Sequence, residues 1–113
     1  ALGKSQLNRL KKIVLIREKL FKVYKKSFAG TSLKMQEIPK DVNSAYHLGI
    51  CFMEGINEEK HKFIFHNLRK LNIGVQLHYL PVHLQPYYRN LGYKEGDFPC
   101  AEEYSKKVLN YNL

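Results

Sequence analysis

A single long amphipathic segment opens the sequence. Over residues 5–28 the apolar side chains recur at steps of three and four, which predicts one helix with an apolar stripe. The stripe consists of Leu7, Leu10, Val14, Phe21, Tyr24 and Phe28, widened by Ile13, Ile16 and Leu20. Any fold for this chain must therefore accommodate a long helix that buries one side.

One charged residue, Arg17, falls on that stripe. A guanidinium beside apolar surface needs a carboxylate or carbonyl partner, or must reach past the apolar edge. Gly30, Thr31 and Ser32 end the helix, and residues 38–41 form an extended link. We expect Arg17 to have a partner elsewhere in the fold.

Strand and helix periods then alternate. Residues 46–53 alternate as a first strand that is largely apolar on both faces. Asn57 followed by two acids begins a second helix whose buried face is Ile64, Leu68 and Leu71, and Asn72 is a left-handed stop. A second strand starts at Val75. Pro81 ends it, because proline cannot donate to a strand ladder.

Two more helices complete the pattern, a short one opened by Pro86 and closed near Gly92, and one over residues 99–110. This order predicts an α+β fold, a small antiparallel sheet flanked by helices. Two strands alone are marginal. Either a third strand lies past Leu113 or the sheet packs on something absent, and residues 111–113 resemble the start of an interrupted element. We therefore interpret residues 1–113 as a piece of a larger protein.

The net charge of +9 is concentrated at the start of the chain. Residues 1–34 hold ten Lys or Arg and one acid, whereas the remaining 79 residues are neutral. A solvated lysine-rich helix face explains this pattern, and the alternative is a stand-alone basic module that binds nucleic acid or an anionic surface through residues 4–34. We favour the solvated face and expect no nucleic acid partner.

The compartment follows from what the sequence lacks. There is no transmembrane run and no apolar core of a secretion signal at the start, so we expect no membrane partner and a cytoplasmic location. Cys51 and Cys100 are isolated from each other, which fits neither a metal cage nor a disulfide framework. Both are expected to be reduced packing residues.

The stretch of residues 74–88 is dense in histidine, proline and tyrosine and predicts the edge of a site. Gln76 and His78 would share one face of the second strand, and His83 lies in the loop beyond Pro81. The two histidines have no nearby acid or cysteine to complete a metal set and no adjacent nucleophile for a triad. A histidine satisfied by local hydrogen bonds remains an alternative for His78.

Four stretches together resemble one family. ALGKSQLNRL with Arg17 and Tyr24 downstream, SAYHLGICF, LNIGVQLHYLPVHLQPYYRNLGY and GDFPCAEEYSKKVLNYNL resemble, in this order, the C-terminal part of DegT/StrS sugar aminotransferases. The nearest branch is the UDP-4-amino-4,6-dideoxy-N-acetyl-altrosamine transaminase type of the pseudaminic acid pathway. Residues 111–113 depart from the family's usual Ser-Leu-Pro-Leu ending.

The resemblance implies the C-terminal small domain of a fold-type I enzyme. Such enzymes use pyridoxal 5'-phosphate to move an amino group from glutamate to C4 of a UDP-linked 4-keto-6-deoxy sugar, in surface polysaccharide or pseudaminic acid type pathways. The catalytic lysine and the cofactor-binding residues would belong to a large domain preceding Ala1, so the chain holds no catalytic, cofactor or metal residue and is silent alone. The resemblance also implies a homodimer with active sites at the subunit interface.

Carried over residue by residue, the resemblance assigns substrate contacts to one short run. Gln76, Leu77, His78 and Tyr79 match the family segment that borders the sugar nucleotide, and His83 ranks second. His47 lies in a strand where the family often has histidine, and a packing role there is equally consistent.

Overall fold

A computed structural model describes residues 2–113. Helix α1 spans Leu2–Ser27, which confirms the long first helix. Strand β1, Leu33–Met35, and strand β2, Leu48–Met53, precede helix α2, Glu58–Lys70. Strand β3, Val75–Leu77, leads through a single 3-10 turn, Val82–Leu84, to helix α3, Pro86–Asn90. Helix α4, Pro99–Ser105, and strand β4, Val108–Asn112, complete the described part of the chain.

The strands form one antiparallel sheet of four, in the order β1-β2-β4-β3. The antiparallel α+β architecture is confirmed, but the expected strand count was wrong, because the third and fourth strands lie within residues 33–35 and 108–112. The helix predicted for residues 99–110 ends at Ser105, and residues 108–110 belong instead to the inner strand β4. Residues 111–113 therefore finish a strand and do not begin a new element.

Strand β2 begins two residues later than expected. Tyr46 has a φ of +47°, a left-handed conformation that is uncommon outside glycine and that keeps this residue out of the ladder. Further along β2, Gly49 is buried directly opposite Tyr111 of β4. A Cβ at Gly49 would stand 2.5 Å from the Tyr111 ring, so the ring takes the space that a side chain would fill.

Helix α1 packs on one face of the sheet through its second half. Phe21, Met35 and Cys51 form the buried cluster, with Phe28, Leu33, Ile38, Tyr46, Tyr111 and Leu113 packed around it. The Phe21 and Tyr46 rings lie 5.1 Å apart, and those of Tyr24 and Tyr111 lie 4.7 Å apart. Arg17 Nε donates to the Leu113 carbonyl at 3.0 Å, which is the partner expected for this guanidinium.

Helix α2 begins as predicted but buries a different residue. Asn57 accepts a hydrogen bond from the Lys60 amide at 2.9 Å, and Asn72 adopts the left-handed stop with a φ of +59°. Ile64 and Leu68 are half-buried, but Leu71 is 71% exposed because the helix ends before it. The most buried side chain of α2 is instead His61, whose Nε2 donates to the Val108 carbonyl at 3.1 Å.

The first turns of α1 contact little of this chain. Residues 3–12 are exposed throughout, so the predicted apolar stripe is covered only from Ile13 onward. Of the stripe residues in positions 3–28, Phe21 is the one that is buried, and Ile16 and Leu20 remain exposed. Cys51 is buried as expected, whereas Cys100 is exposed on α4 and is not a packing residue. Within residues 2–113, no helix has the length and hydropathy needed to cross a membrane.

Candidate functional site

The candidate site begins where β3 ends. Gln76 and Leu77 lie on this edge strand with exposed side chains, and Gln76 stands opposite Asn110 of β4 in the antiparallel register. The strand is shorter than expected, since it stops at Leu77. The Gln76 side chain is exposed, so its amide is accessible to a ligand.

Tyr79 turns the chain out of the sheet. Its φ is +56°, a conformation that costs a non-glycine residue about 1 kcal/mol or more and that persists only where the surroundings impose it. The result is a side chain that is 65% exposed immediately after the strand. Tyr79 therefore presents its ring and hydroxyl to solvent at the end of β3.

His78 lies between Gln76 and Tyr79 but is only half-buried. Its Nδ1 accepts a hydrogen bond from Asn110 Nδ2 at 2.9 Å, and the His78 and Tyr104 rings pack edge to face with their centroids 6.0 Å apart. Because Gln76 faces Asn110 in the register and His78 contacts the Asn110 side chain, both residues lie on one side of the sheet, as predicted. The local hydrogen bond that was the structural alternative for His78 is therefore present, and it occupies only one of the two ring nitrogens.

His83 is held inside the fold and is 7% exposed. Its Nε2 donates to Glu102 Oε1 at 2.9 Å, and the same carboxylate accepts from the backbone amides of Gly96 and Phe98. Burial opposes ionisation of Glu102, but the hydrogen bonds from His83 and the two amides outweigh it and hold the carboxyl pKa below its usual value. This arrangement ties the 3-10 turn, which follows residues 76–79 in the chain, to the loop before α4. We refer to residues 76–79 as the wall.

An open cavity of about 350 Å³ adjoins this wall. Leu77 and Tyr79 line it, together with His61 and Glu102. Lys106 also lines the cavity, and its Nζ lies 3.9 Å from Glu58 Oε2 and 3.8 Å from Glu95 Oε1. The ammonium group of Lys106 is therefore already paired. The cavity brings together two of the five predicted site residues, while Gln76 and His78 face the neighbouring surface beside β4.

Sequence reasoning missed three polar residues that support this region, namely His61, Glu102 and Asn110. Each is buried and each bonds to a group far away in the chain. Glu102 could not be distinguished in sequence from its neighbour Glu103, which is exposed and pairs with Lys107. Only the tertiary contacts separate the two glutamates.

The fold and the sequence agree with one class of protein. The model of the DegT/DnrJ/EryC1/StrS aminotransferase family matches residues 1–113. The chain belongs to this family, and its small antiparallel sheet with flanking helices is the architecture that sugar aminotransferases of known structure share. This confirms the resemblance seen in the four sequence stretches.

Individual relatives make the likeness concrete. The spore coat polysaccharide biosynthesis protein SpsC of Bacillus subtilis is 34% identical over 120 residues, which cover all of this chain and 30% of SpsC. Spr1654 from Streptococcus pneumoniae, assigned as a sugar aminotransferase and solved in its PMP form, matches 99% of the chain with a TM-score of 0.94 and 29% identity. The chain covers 28% of Spr1654, and so spans less than a third of the relatives it matches.

A further solved structure contains a bound reaction intermediate. DesV from S. venezuelae, solved in complex with a ketimine intermediate, covers 97% of this chain with a TM-score of 0.82 and 25% identity, and the chain covers 29% of DesV. Spr1654 has also been solved in a PLP form, with a TM-score of 0.93. The family is therefore one of pyridoxal-phosphate enzymes.

The described residues do not themselves fit that cofactor. A lysine that carries pyridoxal phosphate needs a sheltered amine, and among residues 3–113 every lysine is exposed except Lys107, which is half-buried and pairs with Glu103. The same part of the chain contains no group of three His, Cys, Asp or Glu residues arranged for a metal ion.

Proposed function

We propose that residues 1–113 are the C-terminal small domain of a pyridoxal-phosphate-dependent sugar aminotransferase. The full enzyme transfers an amino group from glutamate to C4 of a UDP-linked 4-keto-6-deoxy sugar, for a surface polysaccharide or a pseudaminic acid type product. The cofactor, when bound, supplies the electron sink and carries the amino group between the two substrates. The full enzyme acts as a cytoplasmic homodimer, and this chain alone is inactive.

Two observations carry the proposal: the match to sugar aminotransferases extends over nearly all of this chain, and the run at the end of β3 is exposed. Gln76 presents an amide and Tyr79 presents a hydroxyl and a ring, all of which can contact the oxygens and the planar base of a sugar nucleotide. Leu77 contributes apolar surface to the adjoining cavity. In this proposal Gln76, Leu77, His78 and Tyr79 face the substrate, whereas His83 holds their loop in place.

The test uses the full-length enzyme that contains this chain. Amino transfer from glutamate is measured with a UDP-linked 4-keto-6-deoxy sugar for the parent and for Gln76→Ala and Tyr79→Ala. Loss of a hydrogen bond to a charged or polar substrate group should lower kcat/KM for the keto sugar by roughly 10-fold to 100-fold. The half of the reaction that consumes glutamate should change much less, because glutamate lacks the nucleotide.

A matched control distinguishes the wall from the surface in general. Tyr87 on α3 is as exposed as Tyr79 but lies away from the cavity, so Tyr87→Ala should leave kcat/KM unchanged. Unchanged kinetics in Gln76→Ala and Tyr79→Ala would refute the site. Absence of amino transfer to every nucleotide-linked keto sugar tried would refute the function itself.

A second experiment addresses the chain by itself. Purified residues 1–113 should leave the absorbance spectrum of free pyridoxal phosphate unchanged, because no lysine of residues 3–113 is fully buried. The basic-module alternative predicts instead that this chain binds RNA, DNA or anionic vesicles at low salt and releases them steeply as salt rises. We expect no such binding, since we interpret the exposed lysines of α1 as a solvated helix face.

A further inference from the structure

Asn110 occupies an unusual position for an amide side chain. It lies in the middle of the central strand β4, opposite Ile50 on one side and Gln76 on the other, and is 1% exposed. Its Nδ2 donates to His78 Nδ1 at 2.9 Å, while its Oδ1 has no partner within residues 2–113. A buried polar atom without a partner is costly, so the presence of an asparagine at this position needs a physical explanation.

The orientation of the amide follows from counting unpaired groups. As oriented, Oδ1 and one of the two N–H donors of Nδ2 lack a partner in the described part of the chain. With the amide turned over, Oδ1 would accept from a protonated Nδ1, and both N–H donors of the buried Nδ2 would be left unpaired. Unpaired buried N–H groups are rarer in proteins than unpaired carbonyl oxygens, so the orientation with one unpaired N–H is favoured, and Asn110 is the donor and His78 Nδ1 the acceptor.

This hydrogen bond determines where the proton of the imidazole is. A neutral histidine carries one N–H, so an Nδ1 that accepts requires the hydrogen on Nε2. Within the described residues Nε2 has no hydrogen-bond partner, although the ring is half-buried and flanked by Tyr104. The ring is therefore held with one fixed donor, and that donor is unused by the fold.

We propose that Asn110 is a positioning residue that fixes the tautomer of His78, so that Nε2–H donates to an acceptor oxygen of the bound sugar nucleotide. The assignment rests on the proposed function of residues 76–79 as a substrate wall. The acceptor oxygen belongs either to the diphosphate or to the sugar, since both present lone pairs to an N–H donor. Asn110 itself contacts no substrate and acts through His78.

The first test reads the tautomer directly, without substrate. Correlation spectra of the ring nitrogens and carbon-bound protons in the 15N-histidine-labelled full-length enzyme should show the His78 hydrogen on Nε2, with His78→Gln identifying the signal. Asn110→Asp replaces the donor by an acceptor and should move the hydrogen to Nδ1. The control Asn112→Asp makes the same change two residues along β4, at an exposed side chain, and should leave the tautomer unchanged.

Either of two results would overturn the tautomer assignment: a wild-type His78 with its hydrogen on Nδ1, or an unchanged spectrum in Asn110→Asp. The wild-type spectrum decides the point even if the variant does not fold. These readouts are independent of the proposed function, because they need no substrate.

The second test asks whether the donor reaches the substrate. Asn110→Asp should raise KM for the keto sugar about 10-fold with little change in kcat, the pattern expected when a binding contact is lost. An equal loss of affinity for UDP as an inhibitor assigns the contact to the diphosphate, and unchanged UDP affinity assigns it to the sugar. If KM stays at the parent value while Gln76→Ala still raises it, the role of His78 as a donor is refuted and the proposed function survives.

Discussion

Gly49 provides the sharpest quantitative test of the fold. Alanine at this position would place its Cβ 2.5 Å from Cε2 and Cζ of Tyr111 and 2.9 Å from the hydroxyl oxygen. Non-bonded carbon atoms prefer about 3.5–4.0 Å, so the ring would have to retreat by about 1 Å. It has little room, because Tyr24 packs against it at 4.7 Å and its hydroxyl donates to Met35 Sδ at 3.1 Å.

The energy follows from two opposing effects. Overpacking of this kind costs about 1–3 kcal/mol, whereas replacing glycine by alanine removes unfolded-state freedom worth about 0.4–1 kcal/mol. We therefore expect Gly49→Ala to lower the free energy of unfolding by about 1–2 kcal/mol. Urea unfolding of the 113-residue chain, followed by far-UV circular dichroism, measures this change. Gly74→Ala is the matched control, since its Cβ would meet no atom within 4 Å, and it should be neutral or slightly stabilising.

A double variant isolates the collision as the cause. In a Tyr111→Leu background the ring is gone, so the cost of Gly49→Ala should shrink to less than about 0.5 kcal/mol. A parent-like stability for Gly49→Ala, or an undiminished cost after Tyr111→Leu, would refute the reasoning.

Three further substitutions test single contacts by the same unfolding assay. Burial holds the pKa of His61 below its usual 6.5, so the unfolded chain binds a proton first, and the free energy of unfolding should fall as pH drops from 6.5 towards the lowered folded-state pKa. His61→Gln should abolish that decline. A pH profile identical to that of the parent would contradict this prediction. Arg17→Met removes the donor to the Leu113 carbonyl and should cost about 1 kcal/mol, with no recovery in Arg17→Lys, which lacks the guanidinium fork. Asn57→Ala should cost about 1 kcal/mol through loss of the α2 cap, whereas Asn57→Asp should retain the cap; equal losses in both would argue against capping.

Features set by local chemistry were predictable from the sequence. The start of α2 at Asn57, its left-handed stop at Asn72 and the start of α3 at Pro86 depend on residues within a few positions of each other. The helical period of α1 was equally clear, because it extends over many turns. The partner of Arg17 was predictable as a class of group, although its position 96 residues away was not.

Strand β4 shows why the sheet was harder to predict from the sequence. Its sequence VLNYN follows α4 without an intervening glycine or proline, so nothing local marks the change from helix to strand. These residues become a strand because β2 and β3 offer free hydrogen-bonding edges on both sides. Strand β1 was missed for a related reason, since three residues are too few to establish a period.

The residues of the candidate site were likewise predictable only in part. The run of Gln76, His78 and Tyr79 was identified from its density of polar and aromatic groups, and the shared side of Gln76 and His78 was predicted from strand alternation. The roles of Asn110 and Glu102 were not predictable, because each depends on a hydrogen bond to a histidine 32 or 19 residues away. His83 resembled a site residue in sequence, yet Glu102 draws it into the interior.

The central place of β4 in the sheet has a consequence for synthesis. On a ribosome adding about 5–20 residues each second, roughly two to six seconds separate the completion of β3 from the appearance of β4. During that interval β2 and β3 have no strand between them, and each presents an open edge to other nascent chains. The sheet can close only after synthesis has passed residue 112, so faster translation beyond β3 shortens the interval in which the two open edges can aggregate.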